Sequence, residues 1–339
     1  MSAHLKILSA GPAVSLQDMG REGYLAHGLT RGGAADRLAL HEGAALLGQS
    51  ADCAALEMVG MGGTFEATVD TVIALTGARM GATLDGAPLT WHASHALPAG
   101  AKLVIGGAQA GTYGYLHVAG GFQTPVVMHA RASHLNAQIG ALCHSGDALP
   151  ITATASARSG YFLTPDPRLQ GGTIRVITSF QSDQFSQETR DRFAATSFQR
   201  DARGNRQGVR LHTDEDGFYA TDGLSIVSEV ITTGDIQIAG DGAPYVLMCE
   251  SQTTGGYPRI GTVIPCDLPK VAQAPVGAPV QFEFISHAEA IEIEKRARNE
   301  AKALAAKAQP LVRDPSDIAD LLSYQLISGA VSATADPFA

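Results

Sequence analysis

Gly234-Asp235-Ile236-Gln237-Ile238, the turn Gly240-Asp241-Gly242, and Tyr245-Val246-Leu247-Met248-Cys249 running on into Gln252-Thr253-Thr254-Gly255-Gly256-Tyr257-Pro258 form the stretch that decides the fold. Its apolar runs are too short for helices, rich in β-branched residues, and parted by a glycine turn with Pro244 behind it. They predict a β-hairpin whose second strand enters a polar loop. Two glycines there permit positive φ and close backbone approach, while Gln252, Thr253, Thr254 and Tyr257 supply donors and acceptors. Such a loop suits a small-molecule site, although a plain tight hairpin turn would use the same glycine pair.

Outward from the hairpin, short strands continue in both directions. Upstream, Ser228-Glu229-Val230-Ile231 puts a glutamate into an apolar run, and Asn205-Arg206-Gln207-Gly208 reads as a turn before a strand. A strand over residues 173–178 and a short polar helix over 184–195 precede them. In the first half, residues 5–16 predict an edge strand that leads to Gln17-Asp18-Met19-Gly20-Arg21-Glu22-Gly23-Tyr24. Residues 34–48 carry helical spacing with Gly48 as the stop, and Asp36 at the start, where a carboxylate suits both capping and catalysis. Leu56-Glu57-Met58-Val59 is again a glutamate among apolar residues. Further strands are expected over 72–78, 102–105 and 112–119. Nothing alternates strand with long helix, which disfavours a parallel doubly wound sheet. The two glutamate-bearing strands form a weak internal repeat that suggests two related β-barrel-like domains and a cleft between them.

The tail differs in kind. Ser286 with Glu289 makes a capping box for a helix over 291–308 ended by Pro310, and Asp314-Pro315 starts another with Ile318, Leu321, Leu322 and Leu326 on one face. A Pro-containing connection over 161–170 marks the boundary between the two main units.

Composition narrows the function class. With 339 residues, 45% apolar and 17% charged, the chain has ample material for a core, and its 38 glycines favour tight turns. A formal charge of −9 leaves no basic field for a phosphate backbone, so nucleic acid is not an expected partner. No apolar run reaches the roughly 20 residues of a membrane helix and the N-terminus lacks signal-peptide character, so a cytoplasmic location and no membrane association are expected. Cys53, Cys143, Cys249 and Cys266 are far apart, which indicates neither a zinc ribbon nor a disulfide scaffold. His92 and His95 form an isolated His-x-x-His, and no metal is expected. Cys266 as a nucleophile lacks an accompanying His/Asp set.

Gln17 to Tyr24, Leu75-Thr76-Gly77-Ala78, Val118-Ala119-Gly120-Gly121, Ser228-Glu229, Gln237-Ile238, Gln252 to Pro258 and Asp267-Leu268-Pro269-Lys270 together resemble the biotin-dependent carboxyltransferase family. This is the family of allophanate hydrolase subunit 2, the C-type component of 5-oxoprolinase and KipA-type antagonists of a sporulation kinase inhibitor. The likeness spans roughly residues 5 to 285, and its seven-residue Gln-Thr-Thr-Gly-Gly-Tyr-Pro run is the most specific part. It implies a mainly β protein of two cyclophilin-like β-barrel domains with short helices, over 1–160 and 171–287, with a helical tail over 288–339. It further implies carboxyl transfer to a urea- or lactam-like acceptor from carboxybiotin carried on another chain or domain. A companion resembling allophanate hydrolase subunit 1, the B-type component of 5-oxoprolinase or KipI is implied too, with any ATP used by that partner. Gly32, Ala35 and Ala44 depart from the residues usual in the family.

Such a transfer needs a base, donors for developing charge, and cations for a carboxylate. Glu229 or Asp36 is the candidate base, with Glu57 as a second acid. Gln252, Thr253, Thr254 and Tyr257 are the candidate orienting groups, and Arg131, Arg206 and Lys270 the candidate carboxylate holders. The chain has no biotin-attachment motif, no phosphate-binding Gly-rich loop and no Gly-x-Ser-x-Gly elbow, so it is not a self-sufficient carboxylase. The alternatives are an ATP-dependent 5-oxoproline-opening complex without biotin, and a KipA-like non-catalytic protein that binds and antagonises a kinase-inhibitor partner.

Overall fold

The computed structural model describes residues 3–153, 157–221, 223 and 226–312. Two β systems dominate. Residues 4–162, joined by a terminal pairing at Gln309–Pro310, form an eleven-stranded sheet, and residues 172–284 close into a seven-stranded barrel. The barrel is sealed where Gly172–Ile177 runs parallel to Pro279–Phe284, with Gly172 opposite Val280 and Val176 opposite Phe284. The hairpin read from sequence is two of its strands, Asp235–Ile238 and Pro244–Leu247, paired antiparallel with Ile236 opposite Val246. Small turns and β-branched residues suffice to set that register.

In the first sheet, Thr71–Leu84 pairs antiparallel with a single 17-residue strand, Lys102–Val118, through several register shifts. The sequence predicts two strands there, over 102–105 and 112–119, with Gly106, Gly107 and Gly111 between them. Continuous pairing with Thr71–Leu84 overrides the weak local preference and turns the glycines into sites of irregular pairing rather than ends. The expected edge strand over 5–16 is the reverse case. It divides into His4–Ala10 and Val14–Gln17, which pair with different neighbours.

Helix α1, Arg37–Leu47, follows its expectation. Asp36 is its N-cap, accepting from the Ala39 amide at 3.2 Å, and Gly48 stops it in the left-handed conformation. Gly43 brings the helix down onto the His117 ring, where a Cβ would sit 2.4 Å from ring atoms. Helix α2, Gln187–Ala195, covers the barrel. Its Phe193 stacks on Phe282 with ring centroids 4.8 Å apart and meets Phe218 edge-on at 5.3 Å. Helix α3, Leu268–Gln273, follows a short turn at Pro265–Asp267.

The two β systems share one core. Ala34, Ala35, Leu40, Tyr113 and Tyr115 of the first half belong to the same buried cluster as Phe198, Ile236, Val246 and Phe282 of the barrel. Apolar burial of this kind stabilises at roughly 25 cal/mol per Å², so the halves hold each other in a fixed relation. Gln273 of α3 fastens the seam, accepting from the Thr112 and Tyr113 amides at 2.9 and 3.0 Å and donating to Asp36 at 2.8 Å.

Beyond the barrel, the capping box at Ser286 and Glu289 starts α4, His287–Lys302, and a break at Ala303 separates it from α5, Leu304–Lys307. The sequence predicts one helix over 291–308. Leu304 and Ala308 pack against Leu46 and Leu47 of α1, and that contact sets the direction of α5. The helix expected after Pro315 lies outside the described residues.

Candidate active site

Where the sheet, the barrel and α4 meet, a cavity of about 1270 Å³ opens. Its floor is the loop from Gly32 to the start of α1, together with Met248 and Cys249. Its walls are the Pro265–Lys270 segment on one side and α4 on the other.

The floor is held from beneath by a buried polar network. Glu57 is wholly buried on Ala55–Val59 and accepts from the Tyr115 hydroxyl at 2.6 Å, the Ala35 amide at 2.9 Å and the Arg206 guanidinium. Arg206, from the barrel, also donates to Glu250 at 2.6 Å and to the Gly33 carbonyl at 2.5 Å. Burial opposes the charge on Arg206, but Cys249, Glu57 and Glu250 outweigh it and hold the guanidinium above its ordinary value. Burial likewise keeps Tyr115 protonated, with Glu57 and Asp36 adding to the effect, so it serves as a donor. Gly33, at φ +77°, passes so close to Asp18 and Gly20 that a Cβ would lie 2.6 Å from the Gly20 amide nitrogen. The Gln17–Tyr24 motif is the support of this loop, with Asp18 accepting from the Gly20 and Arg131 amides.

A second network ties α1 to the connection between the halves. Arg168 donates to Asp36 at 2.8 Å and to both oxygens of Glu42 at 2.7 Å. Burial pushes the Glu42 carboxyl up, against the pull of Arg168.

The cations on the cavity floor and on the Pro265–Lys270 wall are paired, with one exception. Arg31 bonds Glu22 and the Met19 carbonyl, and Arg175 and Lys270 both engage Asp267. Arg37 is different. It lies half-buried in the first turn of α1, lines the cavity, and makes no hydrogen bond or ion pair among the described residues. Burial, then neighbouring Arg31, lowers its value, yet an arginine keeps its charge. An unpaired guanidinium beside a helix N-terminus, where the dipole also favours anions, is a place for a carboxylate or phosphate.

The residues read from sequence fall into separate groups. Asp36, Glu57 and Arg206 come together under the cavity floor, and Lys270 lines the cavity wall. Glu229 lies apart, on a two-stranded ribbon in which Glu229 pairs with Gly255 and Val230 with Thr254. Its side chain is 53% exposed and accepts from Gln181 at 2.7 Å and Arg259 at 2.8 Å. The expected likeness of Glu57 and Glu229 therefore does not extend to their surroundings. Thr254 is part of this ribbon, Gln252, Thr253 and Tyr257 adjoin it in the chain, and none of the four lines the cavity. Beneath it, Gln237 Nε2 and Ser251 Oγ are buried without a partner among the described residues. Arg131 does not line the cavity; its amide supports Asp18 beneath the floor loop and its guanidinium donates to the Thr124 carbonyl.

Sequence reading misses Arg37, because an arginine in the first turn of a helix carries no motif; only the folded surroundings reveal that it is unpaired. Cys249 also lines the cavity, but burial pushes its thiol up to about 11. Burial and Glu294 push the Cys266 thiol up to about 12, which removes it as a nucleophile at neutral pH. Among the described residues, no three His, Cys, Asp or Glu side chains gather as metal ligands, and no helix is long and apolar enough to cross a membrane.

The carboxyltransferase domain family, subdomains A and B, matches residues 27–284. The chain is 34% identical over 292 residues to the C-type component of 5-oxoprolinase from Escherichia coli, covering 85% of this chain and 93% of that one. It is 31% identical over 296 residues to the corresponding 5-oxoprolinase component of Haemophilus influenzae, covering 86% and 94%. Among solved structures, that of TTHA0988 aligns with a TM-score of 0.76 at 27% identity over 83% of this chain, which spans 56% of that chain. The Kluyveromyces lactis urea amidolyase aligns with a TM-score of 0.79 at 21% identity over 92% of this chain and 21% of that one, a likeness of fold.

Proposed function

The chain belongs to the carboxyltransferase family, and from that premise we propose that it is a carboxyltransferase-type subunit acting on a small lactam- or urea-like acid together with a companion protein. The observation that carries this reading is Arg37, a guanidinium unpaired among the described residues, on a cavity built from both halves. The near full-length likeness to two 5-oxoprolinase components favours a lactam bearing a carboxylate, which Arg37 would hold bidentately. The companion resembles the B-type component of 5-oxoprolinase, KipI or allophanate hydrolase subunit 1, and ATP is used by that partner. The setting is cytoplasmic.

Biotin, when bound on its carrier, supplies a carboxyl group activated for transfer. The cavity suits such a group, since its volume of about 1270 Å³ combines apolar Met19, Met248 and Leu268 with the cation of Arg37. Lys270 would hold its carboxyl, with Arg37 left for the carboxylate of the lactam. Asp36, Glu57 and Arg206 act as positioning residues, because the charges of Glu57 and Arg206 are spent on each other and on the floor loop, and that of Asp36 on Arg168. Glu229 is the proposed proton acceptor, and Gln252, Thr253, Thr254 and Tyr257 the proposed orienting groups; none of them lines the cavity, so these roles require the companion to carry the ribbon against the bound acceptor.

The test is reconstitution with the companion and assay of 5-oxoproline- and urea-dependent ATP hydrolysis, with and without avidin. Activity lost in Glu229→Gln supports a catalytic role, and avidin sensitivity decides for carboxyl transfer. A second reading, a KipA-like protein that binds and antagonises a partner without catalysis, is favoured by the exposed apolar side chains of Phe180, Val227, Val230 and Tyr257 on the barrel half. A stable complex with no ATP hydrolysis on either substrate would establish that reading instead.

A further inference from the structure

The family match stops at residue 284, yet the cavity does not. Its far wall is α4, which starts at His287 and lines the cavity with eight residues, among them Glu294, Ala297, Arg298 and Ala301. These positions, spaced by three or four residues, lie on one face of the helix. Glu294 seats that face, because its carboxylate accepts from the Cys266 amide at 2.6 Å on the opposite wall segment. Glu294 also lies near enough to Arg37 to support its positive charge, so α4 and the cavity floor face each other electrostatically. One helical turn beyond Glu294, Arg298 is exposed and has no ion pair or hydrogen bond among the described residues. Among those residues three guanidinium groups in the lining lack a partner, Arg37 on the floor and Arg296 and Arg298 on α4; Arg296 also borders the groove with Lys295 and Asn299 on the other side of the helix, which leaves Arg298 on the face that carries Glu294, Ala297 and Ala301.

We propose that α4 is a specificity-determining wall, in which Arg298 holds a second anionic group so that the cavity selects small ligands carrying two negative charges over those carrying one. This rests on the proposed function for its substrate, a carboxylate-bearing lactam that becomes a dianion when its ring nitrogen gives up its proton and takes the carboxyl group of carboxybiotin, whose ureido nitrogen leaves and ends protonated. A single floor cation serves the incoming monoanion. The wall cation serves the charge that develops, and Ala297 and Ala301 leave room for it.

The test uses two probes of matched chemistry, glutarate as dianion and butyrate as monoanion, titrated calorimetrically into the full chain. The wild-type protein binds glutarate about tenfold more tightly than butyrate, since a charge-assisted pair separates the two. Arg298→Ala removes that preference and leaves butyrate binding unchanged, while Lys295→Ala, a charge loss on the outer face of the same helix, keeps it. A wild-type protein without the preference, or an Arg298→Ala variant that retains it, overturns the inference. If the preference behaves as expected but the reconstituted complex turns over neither lactam nor urea, the specificity wall stands and the proposed function falls.

Discussion

Glu57 of the first-half sheet and Arg206 of the barrel form an ion pair in the interior, each drawn from a different β system and each completed by backbone groups of the loop at Gly33–Ala35. Neither charge has access to water to replace its partner. Taking away one member of a buried pair costs roughly 3–5 kcal/mol, because the other is left uncompensated. Glu57→Gln and Arg206→Met should each lose stability on that scale in denaturant unfolding. The double variant should lose clearly less than the sum, and strict additivity would contradict the coupling.

Arg168 faces two buried carboxylates, Asp36 and Glu42, besides the exposed Asp166 at 3.6 Å, and Glu42 is held above the usual carboxylate range by burial. One guanidinium serving two buried acids makes the network asymmetric. Glu42→Gln should therefore cost little, within about 1 kcal/mol, while Arg168→Met should cost roughly 3–5 kcal/mol by leaving both acids buried together. Equal losses from the two substitutions would show that Glu42 contributes its charge rather than its shape.

How much of this is legible in the sequence depends on the range of the interaction. The hairpin over 235–247, α1 with its Asp36 cap and Gly48 stop, and the capping box of α4 are local, set by turn chemistry and spacing, and the sequence predicts them. It does not predict the unbroken strand at Lys102–Val118, which exists through pairing with a partner that local preference does not describe. The same limit governs the site. Asp36, Glu57 and Arg206 stand out as charges in apolar company, which marks them as buried but leaves their role open. The isolation of Arg37 depends on Arg31 being claimed by Glu22, and on Arg175 and Lys270 being claimed by Asp267, relations that exist only in the fold.

His92 is buried, its Nε2 has no partner among the described residues, and burial followed by Arg168 lowers its value to about 4. Its ordinary value is near 6.5, so between pH 6.5 and about 4 the unfolded chain binds a proton that the folded one does not. Stability is therefore lost as pH falls through this window, at up to about 1.4 kcal/mol per pH unit from this group. His92 has φ +56°, a conformation that asparagine tolerates. His92→Asn should flatten the pH dependence of unfolding in that range by about this slope; an unchanged slope would assign the acid sensitivity elsewhere.

The most direct test of the account is the Arg37→Ala variant in the reconstituted complex, assayed for 5-oxoproline-dependent ATP hydrolysis beside its melting temperature. Losing a charge-assisted, bidentate contact to a substrate carboxylate costs roughly 1.5–3 kcal/mol, about a tenfold to hundredfold fall in kcat/KM. Because Arg37 bonds nothing among the described residues, its removal should leave the melting temperature unchanged. A variant of undiminished kcat/KM would contradict the assignment of this cavity as the substrate site.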